Sequence, residues 1–400
     1  MKFRQVLLIM GAALLLSFQA NAQTIVYAGG SGTNHYATVQ AAVNALPSNG
    51  GLVEVLAGTY TEQVVISTPN VFLIGQGATP ASTVITYDSW AQKSNGSGGT
   101  IGDIASATVQ VTNTATNFYF ENLQIQNTYT QEGNSETQAL AMSIYADRSV
   151  GHNVRLIGRQ DTFFAGANGC SSTSCTTPSR VYLKNCYIEG NVDYIFGDAA
   201  MVLDSCVIQT DENGSIGGET TITAQNKRCA SCYLSGLIFW NSELVTSPTT
   251  GMTNDYLGRP WGAYATNVYV DTNMQAPIAP PGWIEFNPGT TSNLPTSYYA
   301  EYGSTGPGAV GYTNRAREQY AVYLTSSQIA QYAPNTYLAG SDSWAPTLVA
   351  PSPIPDGTYV IKNEYSGLAL GDPGSSLQNG TYMEQLTVTN AANEQWTVTT

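Results

Sequence analysis

The chain has 400 residues, and 14 Lys and Arg against 28 Asp and Glu give it a formal net charge of -14. A field of that sign argues against nucleic acid or an anionic membrane as partner. With 39 glycines, 25 tyrosines and only 10% charged residues, the composition points to a β-rich rather than a helical fold.

The first 22 residues read as an export signal: Lys2 and Arg4, an apolar run from Val6 to Phe18, then Ala20-Asn21-Ala22 before a cleavage point at Gln23. That run is too short to span a bilayer, and no later stretch approaches the ~20 apolar residues a membrane helix needs. A soluble, secreted monomer is expected. Removal of the signal leaves 12 basic against 28 acidic residues, a net charge of -16. Six cysteines in an exported chain suggest disulfides rather than catalytic thiols. Cys170 with Cys175 and Cys229 with Cys232 are spaced to close small loops, whereas Cys186 and Cys206, in matching contexts, are either a bridge or two stacked buried thiols.

Residues 36 to 46 (YATVQAAVNAL) carry apolar residues near helical spacing and end at Pro47 and Gly50, which predicts a helix capping the N-terminal end of the fold. Short strand-like pieces follow at 71 to 74, 153 to 157, 237 to 240 and 267 to 271, with Gly, Asn, Ser and Thr between them. Among them one pattern recurs: FYFENLQIQN at 118 to 127, VYLKNCYIEG at 181 to 190 and MVLDSCVIQT at 201 to 210. The offsets of 63 and 20 residues read as three periods and then one, the mark of a solenoid whose short units bury their apolar faces against one another. An all-β fold, a right-handed parallel β-helix, fits best, and it occupies residues 23–342.

A Pro- and Ser-containing linker at 343–356 precedes a separate segment, 357–400. Its residues, GTYVIKNEYSGLAL through NEQWTVTT, resemble one repeat of a ricin-type β-trefoil lectin, with Gln395 and Trp396 adjacent where that pattern spaces them. The resemblance implies carbohydrate binding, although a trefoil needs three repeats and units near ~40 residues rarely fold unaided.

Five segments stand out for chemistry: GTYTE at 58 to 62, TQALA at 137 to 141, GRQDTFF at 158 to 164, GNVDYIFG at 190 to 197 and LGRPW at 257 to 261. In their order and spacing, together with GWIEF at 282 to 286 and AEYGSTGPGA at 300 to 309, they resemble the pectin methylesterase family over about residues 24 to 345. The resemblance implies a parallel β-helix that hydrolyses methyl esters of polygalacturonate, with pectin as partner. It places catalytic residues at Asp193, Asp161, Arg259, Gln138 and Gln160.

The residues carry the same chemistry when read directly. Asp161 and Asp193 follow strands on neighbouring rungs, which lie ~4.8 Å apart, so their carboxyl groups leave the same edge of the sheet. Like-charge repulsion then keeps one protonated while the other stays ionised. Ionised Asp193 attacks the ester carbonyl, and Asp161 protonates methanol and later activates water. The Gln138 and Gln160 amides suit the tetrahedral oxyanion, and Arg259 holds Asp193. Trp261 offers a face for sugar stacking, with Phe196 and Tyr194 shaping nearby subsites. The scheme calls for no metal or cofactor.

Each of these residues also has a plainer reading. An Asp-Thr pair after a strand is usually a turn device, glutamines often form stacks between rungs, and an arginine is often a structural ion partner. Asp193 fits them least, because an unpaired charge inside Val-Asp-Tyr-Ile-Phe is costly outside a cleft. Neither His35 nor His152 lies near a G-x-S-x-G serine, which argues against a triad. Competing functions are a polygalacturonase-like glycosidase, whose carboxyl pair is spread to ~6.5–9.5 Å, a Ca²⁺-dependent lyase, a non-catalytic polysaccharide-binding solenoid, and an esterase for another ester such as a thioester.

Overall fold

Each recurring ten-residue pattern is a corner, two short strands meeting at a bend. The computed structural model describes residues 24–129, 137–167, 179–211, 220–231, 233–247 and 254–348, with pieces at 357–360, 369–372, 384–387, 389 and 395–398. Within the first pattern, Tyr119–Glu121 and Gln124–Asn127 flank Asn122, whose φ is 54°. The equivalent bends are made by Asn153, Asn185, Ser205, Asn241 and Asp271, all with φ between 49° and 54°. Asn, Asp and Ser have short polar side chains, and Asn and Asp tolerate this left-handed conformation better than other non-glycine residues. Successive bends also bond to each other, as when Asn153 donates its side-chain amide to Asn122 Oδ1 at 3.1 Å.

Stacking these corners builds three parallel sheets, one of twelve strands and two of eight among the described residues. The architecture is the expected right-handed parallel β-helix. Alternate side chains point inward, so Leu73, Phe120, Leu156, Leu183, Leu203 and Phe239 form one continuous apolar core.

The rung spacing departs from the sequence reading. Glu121 pairs with His152, His152 with Lys184 and Lys184 with Asp204, so the 63-residue offset covers two rungs rather than three. The strands are uniform while the turns between them vary in length, and turn insertions cost a solenoid little because its core lies in the strands.

The predicted helix is present but shorter, Val39–Ala45, with Thr38 accepting from Ala41 N–H at its N-cap and Val39, Ala42 and Val43 buried. The glutamate of GTYTE serves this helix: Glu62 accepts from the N–H groups of Val39 and Gln40 at 2.8 and 3.0 Å. That satisfies two otherwise unpaired donors at the positive end of the helix.

Cys186 and Cys206 are free, buried thiols, which decides between the two readings of that pair. Cys229 is disulfide-bonded. Its expected partner Cys232, the Cys170–Cys175 loop and the export signal lie outside the described residues. Among those residues no helix is long and apolar enough to cross a membrane. The C-terminal segment is a separate compact unit in which Gly357–Val360 pairs antiparallel with Gln395–Val398, and Ala369–Gly371 with Glu384–Leu386.

Candidate active site

The third sheet carries the site along consecutive rungs, in strands Met142–Ile144, Phe163–Ala165, Val192–Gly197 and Thr220–Gln225. Phe163 pairs with Ile195 and Phe164 with Phe196, which puts Asp161 and Asp193 in the same register on adjacent rungs. Both aspartates adopt positive φ, 64° and 50°, and both are under a tenth exposed. Backbone bonds fix the stack: Ala139 N–H reaches Gln160 O at 3.2 Å and Asp161 N–H reaches Val192 O at 3.0 Å.

Asp193 is held from two sides. Arg259 donates Nε–H to Oδ1 at 2.9 Å and Nη2–H to Oδ2 at 2.7 Å, a bidentate charge-assisted pair. Thr221 Oγ1 donates to Oδ1 at 2.8 Å and accepts from the Asp193 amide at 3.1 Å. Arg259 is itself positioned by the Phe286 carbonyl at 3.1 Å and by the Phe286 ring, 4.6 Å from its guanidinium carbon. An aspartate in an apolar strand is thereby accommodated.

Among the described residues Asp161 has no such cation pair. Burial raises its pKa well above the usual carboxylate range, the charges of Asp103 and Asp193 raise it further, and Arg259 opposes them. One carboxyl is thus oriented by a guanidinium and a hydroxyl, and burial disposes its neighbour to hold a proton. Gln138, Gln160, Asp161, Asp193, Phe196, Arg259 and Trp261 all line one cleft of about 240 Å³.

A model of the pectinesterase family matches residues 24–341. The chain belongs to the pectinesterase family. Pectinesterase 2 of Citrus sinensis is 32% identical over 349 residues, covering 85% of this chain and 62% of its own length. The chain spans about three fifths of that relative and about half of several other curated plant relatives. Among solved structures, the pectin methylesterase from carrot has 29% identity and a TM-score of 0.66, covering 80% of this chain and 93% of its own. The pectin methylesterase from Yersinia enterocolitica has 27% identity and a TM-score of 0.63, covering 78% of this chain and 100% of its own.

In this pectinesterase-family chain one expected subsite residue is misplaced. Tyr194 is fully buried in the core, where its hydroxyl meets Thr210 Oγ1 at 2.8 Å, so it cannot shape a subsite. Strand alternation would have placed it with Phe196, but a bulge between Val192 and Ile195 breaks the pattern. Gly190 makes room for it, since a Cβ there would lie 2.2 Å from Tyr194 Cβ. Phe196 and Trp261 do reach the cleft, their ring centres 6.2 Å apart, and Trp261 stacks towards Phe286 at 6.4 Å.

Asp198, just past the strand of Asp193, is 7% exposed and accepts from Ala167 N–H and the Tyr233 hydroxyl. The sequence reading also missed Asp103, Thr221 and Phe286. GWIEF flagged the last without giving it a role, and no motif surrounds Asp103.

Proposed function

We propose that this chain is a carboxylic ester hydrolase that removes methyl groups from methylated polygalacturonate, releasing methanol, and that it acts outside the cell as a monomer. The observation that carries the reading is the aspartate pair in one cleft, Asp193 gripped by Arg259 and Asp161 buried without a cation of its own. Asp193 attacks the C6 carbonyl carbon, and negative charge moves onto the carbonyl oxygen, which the Gln138 and Gln160 amides bind. Collapse of this intermediate expels the methoxy group, which takes the Asp161 proton and leaves as methanol. Asp161, now a base, accepts a proton from water as that water attacks the acyl-aspartate. Collapse of this second intermediate regenerates Asp193 beside the reprotonated Asp161 and leaves the sugar as a carboxylic acid, which loses its proton to solvent.

Trp261, 38% exposed beside Phe196, supplies an apolar face on which a galacturonate ring can stack. The division into a β-helix over 23–342, a linker over 343–356 and a lectin-like repeat over 357–400 belongs to the same reading. In the last segment the described strands pair first with fourth and second with third, and its role is to add affinity for polysaccharide.

The test is methanol release from highly methylated pectin by the purified protein, with and without chelator. Methanol in both samples supports the reading, whereas new reducing ends or unsaturated products without methanol would replace it with a glycosidase or a lyase. Exchanging Gln138 for Ala is expected to lower kcat by about 100-fold with little change in KM, since the amide acts on charge that exists only in the transition state. Equal loss in KM would assign Gln138 to ground-state binding instead.

A further inference from the structure

Asp103 stands at the junction of two adjoining cavities, one holding the catalytic pair and the other lined by Tyr145, Asp198 and Arg228. Its place is fixed by the backbone. Gly102 N–H bonds to Ala91 O at 2.9 Å and Ala91 N–H to Gln138 O at 2.8 Å, which ties the segment to the backbone of Gln138 itself. On its other side a short 3-10 turn, Ile104–Ser106, begins, and Ser106 Oγ donates to Asp103 O at 2.6 Å while accepting from Leu140 N–H at 3.2 Å.

The side chain of Asp103 serves none of this scaffolding. It does not cap the turn, and its Oδ1 is buried with no hydrogen-bond partner among the described residues. A buried carboxyl oxygen left unpaired is costly and is retained where it has another use. Burial pushes the Asp103 carboxyl up to about 7.

We propose that Asp103 is a positioning residue for the ester hydrolysis, a third carboxyl whose negative field keeps the proton on Asp161 at alkaline pH. The inference rests on the acid–base role given to Asp161 above. Asp103 faces Asp161, Asp193 and Arg259 in one cavity and Tyr145, Asp198 and Arg228 in the other. Arg259 is committed to Asp193 and pulls the Asp161 proton away, while Arg228 offsets the charge of Asp198. On Asp161, the Asp103 charge ranks above that of Asp193 and behind burial itself. Asp193, whose charge Arg259 partly neutralises, is a weaker source of field than its adjacency suggests. Asp103, paired with no cation among the described residues, supplies the remainder.

Asp161 must carry its proton to release methanol, so activity is lost as pH rises through its pKa. Removing the Asp103 charge lowers that pKa and moves the alkaline limb to lower pH. The experiment is the pH profile of kcat/KM for methanol release by the full chain, by Asp103→Asn and Asp103→Ser, and by Asp103→Glu, which retains the charge. The alkaline limb is expected about one pH unit lower in the two neutral variants and restored towards the wild-type position in the Glu variant. Neutral variants whose limb stays at the wild-type pH, with only the height of the profile changed, would give Asp103 a purely structural role and overturn the inference. A wild-type protein that releases no methanol would remove the esterase reading itself, an outcome visible before any variant is compared.

Discussion

Replacing Asp193 by Asn is expected to lower methanol release from methylated pectin by about 10⁴-fold or more, the scale of loss when a covalent nucleophile is removed. Asn is close to Asp in shape, so the Thr221 hydroxyl keeps a neighbour to bond, but the amide lacks the charge and nucleophilicity that the ester carbonyl requires. Arg259 loses a bidentate carboxylate and keeps the Phe286 carbonyl. Its side chain is 23% exposed, so water can solvate part of the charge, and the stability cost should stay near 1–2 kcal/mol. Thermal unfolding of the variant, measured beside methanol release and pectin binding, separates the two effects. A folded variant that binds pectin and retains activity within tenfold of wild type would exclude Asp193 as the nucleophile.

How much of this site was legible in the sequence follows from which residues depend on regular repetition. Asp161 and Asp193 sit at equivalent points of neighbouring rungs, so strand pattern and spacing suffice to bring them together. The Gly- and Tyr-rich, charge-poor composition and the recurring ten-residue pattern made the β-helix legible for the same reason. Tyr194 was misread because adjacency to Asp193 in sequence does not fix facing, and a bulge turns it into the core while Phe196 stays in the cleft. The count of rungs was misread because turn lengths vary and leave no mark on the strands. Asp103 is invisible from its neighbours. It reaches the cleft through an excursion pinned by Ala91 to Gln138 and by Ser106 to Leu140, and such contacts across 47 and 34 residues leave no periodic trace. Cys186 and Cys206 show the converse limit, for matching contexts stack two side chains without deciding whether they join.

Replacing Arg317 by Met should have the largest effect on stability, about 3–5 kcal/mol, because it breaks a fully buried ion pair by removing one partner. The Arg317 and Glu301 side chains are 0% and 1% exposed, with Nε bonded to Oε1 at 2.7 Å. Arg317 also donates to the carbonyls of Ala279, Pro280 and Gly308, so its loss leaves the Glu301 carboxylate with Ser304 alone among the described residues and takes a donor from three backbone acceptors, of which Ala279 keeps the Gly282 N–H. Glu301→Gln should cost less, since the cation keeps those carbonyls and a neutral acceptor replaces the carboxylate. The double variant should recover part of the Arg317→Met loss by removing the orphaned charge. Urea midpoints at unchanged m-value measure all three, and an Arg317→Met loss below about 1 kcal/mol would contradict the account. The consequence reaches the cleft, because the turn that Arg317 ties down leads into Gly282 and Ile284. Those residues bond to Leu257 and Gly258, immediately before Arg259, so a stability element at the end of the helix also sets where the cation that orients Asp193 begins.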